Sequence, residues 1–328
     1  MRCAISIDLD GIGCYYRIHG LGQAPAELEH TVLERALPRA AALFAKHGVH
    51  VTWFVIGRDI DASEPRGEQV PLGYAAPADT ARAANAERLK QLALAGDELG
   101  NHSYSHPYDL AKLPAADIDH EIVRCDRVLR GLAGAVRGFR APGYDVSPAM
   151  LDVLARLGYR YDSSVFPSPG YYAAKAVVMG ALAALRRPSG AVMTNPRLLA
   201  APPDPYRPSM SAPWRRGQAP LVELPIATTP WLRVHAIGTS LLVAPAWLRD
   251  RLVTAMAARE FWNLELHGID FADAEKDGIP GELVERQPDL RIPIDDKLER
   301  MDRLLDQVTA RWQMATLAEV AVDVQREK

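Results

Sequence analysis

Two acidic residues follow the first apolar run of the chain, spaced as neighbours on one face of a strand. Residues 2–7 (RCAISI) indicate a buried β-strand, and Asp8 and Asp10 come directly after it. Side chains two residues apart on a strand point the same way, so both carboxylates face one side. Because a buried carboxylate needs a metal, a basic partner or a proton, the pair predicts a chemically active position.

A second candidate is a pair of histidines four residues apart, His102 and His106, in the sequence HSYSH. This spacing predicts that both imidazoles lie on one face of a single helical turn. Two imidazoles and one carboxylate leave an open coordination position, as in hydrolytic zinc sites and in non-haem iron oxygenases. Iron sites of this kind usually lie on all-β scaffolds, so an α/β chain favours metal-assisted hydrolysis.

Further polar residues also follow predicted strands. Arg140, which begins the sequence RAPGY, is a permanent cation that can pair with Asp8 and keep it ionised. His267 ends the predicted strand FWNLELH and is a candidate general acid. We assign Asp162 a structural role first, and Glu265 no role.

The elements that must position these residues alternate between short strands and helices. This alternation predicts parallel strands with crossover helices, and about seven units favour a barrel over an open doubly wound sheet, which is the alternative. Strands are predicted at 2–7, 51–56, 97–102, 136–140, 159–162, 221–226, 261–267 and 312–314. Helices are predicted at 29–47, 80–95 and 114–132, from Ser147 to Gly158, and from Tyr171 to Leu185. The candidate residues all follow strands, at the rim where β/α barrels build active sites.

Composition excludes several classes of protein. The 328 residues are 48% hydrophobic with a formal net charge of -3, which argues against disorder and against a broad nucleic-acid surface. The three cysteines form no CxxC pair, so neither a disulfide framework nor a cysteine zinc site is expected. The N-terminus does not read as a signal peptide, and no apolar run is long enough to span a membrane. We therefore expect a cytoplasmic protein, with peripheral contact at the inner face of the membrane as the alternative.

A proline-rich segment at about 166–220 interrupts the alternation. It contains the apolar helix candidate Tyr171 to Leu185, whose only charged residue is Lys175. The segment is either an irregular insertion packed on the barrel or a lid or membrane-facing element that helps to bind substrate. Trp231, near this segment, is a candidate for stacking on a sugar ring.

The motifs Asp8-Leu9-Asp10, HSYSH, RAPGY, YDSS and LHG, in this order, resemble those of the polysaccharide deacetylase family (NodB homology, carbohydrate esterase family 4). The resemblance implies an α/β fold, a distorted (β/α)7 barrel, in one catalytic domain over 1–328 with the insertion at 166–220. It also implies a hydrolase of carbon–nitrogen amide bonds that removes an N-acyl group, N-acetyl being the expected one, from an amino sugar.

The resemblance also assigns roles by position. The implied ligands are Asp10, His102 and His106, with zinc as the expected metal and cobalt as the alternative. Asp8 is implied as the general base that activates the attacking water, Arg140 as its partner, and His267 as the acid that protonates the leaving amine. The implied substrate and oxyanion contacts are the Gly143 N–H group, Tyr144 and Trp231.

The sequence departs from the family pattern in two places that matter. Gly143 stands between the proline and Tyr144 of the third motif, which leaves the role of Tyr144 open. The fourth motif supplies Trp231 but no aspartate, so the partner of His267 is unassigned. The expected partner molecule is an N-acylated amino sugar, either a soluble or a lipid-linked glycan precursor. The alternatives are an allantoinase-like amidohydrolase of a non-sugar amide and a catalytically silent carbohydrate-binding protein.

Overall fold

The computed structural model describes residues 1–63, 79–184 and 193–326. Its strands pair in parallel in the spatial order β6-β5-β4-β3-β2-β1-β7, with β8 added beside the start of β1. The strands are β1 Arg2–Asp8, β2 Thr52–Val55, β3 Glu98–Asn101, β4 Gly138–Phe139, β5 Tyr161–Asp162, β6 Val222–Glu223, β7 Phe261–His267 and β8 Gln313–Met314. Each predicted strand is found, and β4, β5 and β6 are shorter than the apolar runs predict.

Helices connect the strands and cover the outside of the sheet, as a parallel β/α arrangement requires. In the described ranges they are α1 Ile12–Ile18, α2 Leu37–Lys46, α3 Asp79–Ala95, α4 Ala115–Ala133, α5 Pro148–Leu157, α6 Pro169–Ala184, α7 Gly238–Val243, α8 Ala246–Met256, α9 Gly281–Val284, α10 Ile294–Thr309 and α11 Leu317–Arg326. None of these helices has both the length and the apolar character needed to cross a bilayer.

Local sequence explains several helix boundaries. The side chain of Ser147 accepts a hydrogen bond from the Met150 N–H group at the start of α5, and Gly158 ends that helix with a left-handed φ of 75°, both as predicted. The predicted helix over 29–47 is divided instead. Pro38, which has no amide hydrogen, lies in the first turn of α2, and a π-helical turn precedes it. The predicted end of α6 at Leu185 lies outside the described residues.

Asn263 joins the two ends of the curled sheet. It lies on β7, and its backbone carbonyl accepts a hydrogen bond from Ala227, which follows β6. Its side-chain amide donates to the Leu224 carbonyl at 3.1 Å, and its Oδ1 accepts from the Ser6 hydroxyl of β1 at 2.9 Å. Because these bonds bridge the gap between the edge strands, the sheet closes into the predicted distorted (β/α)7 barrel.

We expect Asn263→Ala to lower the free energy of unfolding by about 2–4 kcal/mol. The substitution leaves several fully buried polar groups unsatisfied, and each costs about 1–3 kcal/mol. Urea denaturation measures the change. Ser147→Ala, which removes one capping bond worth about 1 kcal/mol, is the control. A loss at Asn263 no larger than that at Ser147 would show that the bridge does not hold the barrel closed.

Candidate active site

Three of the predicted residues meet at the carboxyl ends of β1 and β3. The Oδ1 atom of Asp10 lies 3.3 Å from His102 Nε2 and 3.1 Å from His106 Nε2. All three side chains are buried, and their donor atoms lie close enough together to hold one metal ion. The structure therefore brings together the predicted set of two imidazoles and one carboxylate.

The prediction that the two histidines share a helical turn is wrong. The HSYSH segment is a tight non-helical loop after β3, in which Ser103 and His106 both have left-handed φ values, 63° and 59°. The carboxylate of Glu121 on α4 holds the loop by accepting bonds from the Tyr104 and Ser105 N–H groups. His102 and His106 still converge, with ring centroids 4.9 Å apart, because this loop folds back on the strand end.

The chemistry of the donors fits a divalent ion. The Nδ1 atom of His102 donates to the Arg140 carbonyl at 2.7 Å, which leaves the Nε2 lone pair directed at Asp10. Asp10 Oδ1 and His106 Nε2, although close, make no hydrogen bond of regular geometry with any described residue. Burial opposes the ionisation of Asp10, but His106 and His102 outweigh it and hold its pKa well below its usual range. A buried cluster in which these two donor atoms lack regular hydrogen bonds is suited to a cation.

Arg140 and Asp8 form the buried pair that the sequence predicts. Arg140 NH1 donates to Asp8 Oδ1 at 2.6 Å, and both side chains are almost completely buried. The other guanidinium nitrogens donate to the Ser6 hydroxyl and to the hydroxyl and carbonyl of Ser163, and the guanidinium lies 4.3 Å from the centre of the Phe54 ring. All three guanidinium nitrogens are therefore hydrogen-bonded, and Asp8 is held in one orientation.

The loop after β4 brings Gly143 and Tyr144 to the same place. Asp162 accepts a bond from the Ser164 hydroxyl, which in turn accepts one from the Ala141 N–H group, consistent with the structural role we assign to Asp162. Gly143 has a φ of 75°, and a Cβ there would approach the Tyr108 carbonyl oxygen to 2.9 Å, so this position requires glycine. Tyr144 also has a positive φ, 58°, which aims its hydroxyl at His267.

His267 lies beside Asp8, its register partner on β1. Its Nδ1 atom is 3.1 Å from Oε1 of Glu265, and its Nε2 is 3.0 Å from the Tyr144 hydroxyl. Sequence reasoning missed Glu265, although its position two residues before His267 on one strand places both on the same face.

One cavity of about 320 Å³ opens onto all these groups. It exposes Asp8, Asp10, His102, His106 and His267. Its remaining walls are largely apolar and come from α1, from Tyr108, from the loop of Gly143 and Tyr144, and from α6. Sequence reasoning missed the wall residues Tyr15, Ile18, His19 and Tyr108. The other wall residues belong to the predicted helix that begins at Tyr171, the candidate lid or membrane-facing element: Tyr171, Ala174, Lys175 and Met179. Tyr15, Ile18 and His19 do show helical spacing, but nothing in the sequence places that helix over the cavity.

The structure does not bring Trp231 to this cavity. Trp231 has a left-handed φ of 67° at an exposed turn, where 97% of its surface is accessible. Four other aromatic side chains are buried in the core: Trp53, Trp262, Trp312 and Phe54.

The fold and the position of this polar cluster define the class: a parallel β/α barrel with its candidate site at the carboxyl ends of the strands. Sequence comparison finds a similarity to one family. The sequence profile described as polysaccharide deacetylase matches residues 30–161. This match confirms the resemblance to the polysaccharide deacetylase family. It covers His102, His106, Arg140 and Tyr144, whereas the acids of β1 and His267 lie outside it.

Individual relatives agree with this family. The chain is 24% identical over 165 residues to a peptidoglycan deacetylase of Helicobacter pylori, and the aligned part spans 49% of this chain and 48% of that protein. It therefore spans about half the length of the curated relative that it matches.

Two solved structures share the fold. One, from Mycobacterium smegmatis and assigned as a polysaccharide deacetylase, has a TM-score of 0.55 at 16% identity, over 99% of this chain and 91% of that one. The other, from Parabacteroides distasonis and assigned as a glycoside hydrolase/deacetylase, has a TM-score of 0.63 at 10% identity, over 100% and 72%. Identities this low support the barrel fold and nothing finer.

We expect the purified chain to bind about one zinc ion, and Asp10→Ala and His106→Ala to lose it, because each removes one of three buried donors. Metal analysis after dialysis against zinc measures the content. His50→Ala, at an exposed histidine by the opposite end of β2, is the matched control and should keep the ion. Zinc content unchanged in both site variants would contradict the assignment.

Proposed function

We propose that this chain is a metal-dependent N-deacylase that hydrolyses the amide of an N-acylated, chiefly N-acetylated, amino sugar. We further propose that 1–328 forms one catalytic domain that includes the insertion at 166–220. The observation that supports this most is geometric. The three candidate metal donors, the Arg140-bound Asp8 and His267 all face one cavity.

The candidate ligands are Asp10, His102 and His106, with zinc as the expected ion and cobalt as the alternative. When bound, such an ion polarises an amide carbonyl and lowers the pKa of a coordinated water toward about 7. The rest of the chemistry falls to the side chains of this protein.

Asp8 has the geometry of a general base. Arg140 occupies its Oδ1, while Oδ2 lies 3.9 Å from His102 Nε2 on the side of the three donors. A water in the cavity can therefore give its proton to Oδ2 as it attacks the carbonyl carbon. The fixed guanidinium holds the carboxylate in this orientation, so no reorganisation is needed during the step.

His267 has the position of a general acid. An amine leaves poorly unless it is protonated, so the reaction needs a proton donor beside the scissile nitrogen. His267 lines the cavity together with Asp8, and the two residues are register partners on adjacent strands. We propose that the Gly143 N–H group, in the same cavity wall, stabilises the oxyanion, and that Tyr144 acts beside His267.

The substrate class is supported by the relative described as a peptidoglycan deacetylase, since peptidoglycan contains N-acetylated amino sugars. Two alternatives predict different outcomes. An allantoinase-like enzyme would release ammonia or a ureide product rather than acetate from amide substrates. A silent binding protein would lack part of the set formed by Asp8, Asp10, His102, His106 and His267, and all five are present.

The surface near the cavity supports a lipid-linked substrate over a free one. In its described part, α6 carries one charged residue, Lys175, and it leaves Val177 72% exposed. The neighbouring turn exposes Trp231 and 81% of Leu232, and the Arg233 carbonyl of that turn accepts a bond from Ser168, just before α6. Exposed tryptophan and leucine beside an apolar helix are typical of peripheral membrane contact. We propose that this surface rests on the membrane while the cavity takes the sugar.

We expect Asp8→Asn to lower kcat for acetate release from an N-acetyl amino sugar by about 10²- to 10⁴-fold, the usual contribution of a general base. Zinc should stay bound, because Asp8 is not one of the three donors. Asp97→Asn, at the opposite end of the barrel, is the control and should remain active. Full activity in Asp8→Asn would refute the base, and zinc loss in that variant would make Asp8 a ligand.

We expect the wild-type chain to sediment with vesicles of anionic phospholipid, and the double variant Trp231→Ser/Leu232→Ser to bind at least about tenfold more weakly. Each lost apolar contact costs roughly 1.5–3 kcal/mol. Trp247→Ser, which removes another exposed tryptophan on α8, should bind as the wild type does. Equal binding by all three proteins would show that Trp231 and Leu232 do not contact the membrane.

A further inference from the structure

Glu265 is a buried carboxylate that lies against Tyr144 and His267, with the carboxylate of Asp8 within 4.8 Å. It is completely inaccessible to solvent, and its Oε1 atom accepts a hydrogen bond from the Tyr144 hydroxyl at 2.8 Å. The same oxygen lies 3.1 Å from His267 Nδ1, while Oε2 has no hydrogen-bond partner among the described residues. Burying a carboxylate this deeply costs free energy unless a cation lies beside it.

We propose that Glu265 and Tyr144 are positioning residues that fix the ring of His267 and hold its protonated form ready for the leaving amine. The inference deepens the proposed function, in which His267 is the general acid, and therefore rests on it. It also gives His267 an acidic partner, for which the fourth sequence motif contains no aspartate.

The backbone explains why these residues meet. Glu265 and His267 are two residues apart on β7, so both side chains point to the inside of the barrel. Their register partners on β1 are Ser6 and Asp8, and both of these side chains accept a hydrogen bond from the Arg140 guanidinium. Tyr144 comes from the loop after β4 and reaches across to both side chains. The network thus joins opposite sides of the barrel mouth.

Distances limit how the protons of the imidazolium are shared. The Tyr144 hydroxyl donates to Glu265 Oε1 at 2.8 Å, and its oxygen lies 3.0 Å from His267 Nε2. Glu265 Oε1 also lies 3.1 Å from Nδ1, a charge contact that stabilises the imidazolium. Because the two N–H groups of an imidazolium point in divergent directions, these two neighbouring oxygens cannot accept both protons, and one N–H group is left for the substrate. When the amine leaves, the carbon–nitrogen electron pair goes to nitrogen, this ring N–H bond breaks, and a new N–H bond forms on the amine. His267 is left neutral with one ring proton.

The surrounding charges act in the same direction. Burial alone would lower the pKa of His267, but Glu265 outweighs it, with further acidic neighbours, and raises the pKa to about 9. Burial raises the pKa of Glu265 to about 7, although His267 pulls it down. The attraction between the two groups therefore favours imidazolium beside carboxylate over the neutral pair. The titratable or charged groups facing this pair are Asp8, Asp10, Asp270, Tyr144 and Arg140.

The decisive measurement is the titration of His267 by nuclear magnetic resonance on the full chain with labelled histidine, assigned with His267→Gln. We expect Glu265→Gln, which keeps the shape and removes the charge, to lower the pKa of His267 by about one unit or more. Tyr144→Phe should lower it less, and Glu265→Asp should retain most of the shift. Glu98→Gln, at a half-buried glutamate at the opposite end of the barrel, is the matched control and should not change it.

Kinetics give an independent readout. Loss of the protonated form of His267 sets the alkaline limb of the kcat profile, so this limb should move to lower pH in Glu265→Gln, while KM changes little. If Glu265→Gln does not fold, Glu265→Asp and Tyr144→Phe carry the test. An unchanged His267 titration in the folded variants would overturn the inference. A shifted titration in a protein that hydrolyses no N-acyl amino sugar would leave the network standing and refute the proposed function instead.

Discussion

The ion pair between Arg140 and Asp8 is the constraint on which the rest of the site depends. Removing one partner of a buried pair costs about 3–5 kcal/mol, because the other charge is left without compensation. The guanidinium is fully buried, and its donors reach Ser6 on β1, Asp8 at the end of β1, and Ser163 after β5. One side chain from the end of β4 therefore fixes the relative positions of strands on opposite sides of the barrel.

This pair also links the candidate metal centre to the candidate acid. The carbonyl of Arg140 accepts the Nδ1 proton of His102, so the residue that orients Asp8 also sets the tautomer of a candidate ligand. Asp8 in turn lies opposite His267 in the register of β1 and β7. A displacement of Arg140 would disturb the candidate base, ligand and acid together, and additivity should therefore fail between substitutions at these positions.

Patterns that depend on local physics could be predicted from the sequence. The strand β1 is a mainly apolar run and β7 alternates apolar with polar residues, so the ends of both strands could be located from the sequence. The caps of α5 follow from Ser147 and Gly158 in the same way. The i and i+4 spacing of His102 and His106 did predict their convergence, but it predicted the wrong backbone. The left-handed loop depends on Glu121 of α4, a tertiary contact that spacing does not reveal.

The missed residues are those whose role depends on burial. In the sequence, Glu265 looks like an ordinary strand residue, because its contacts with His267 and Tyr144 are visible only in the structure. The role of Tyr144 stays open in the sequence because Gly143 displaces it by one position in the motif. The glycine takes a left-handed φ, and Tyr144 after it does the same, so the tyrosine hydroxyl still reaches His267. Glu265 lies on the same strand as His267, so the hydrogen bonds of β7 with β1 fix its position. A carboxylate on a neighbouring loop would be fixed only if that loop were ordered. The candidate acid is thus oriented by a strand of the central sheet, and proton transfer to a leaving group requires a fixed geometry of this kind.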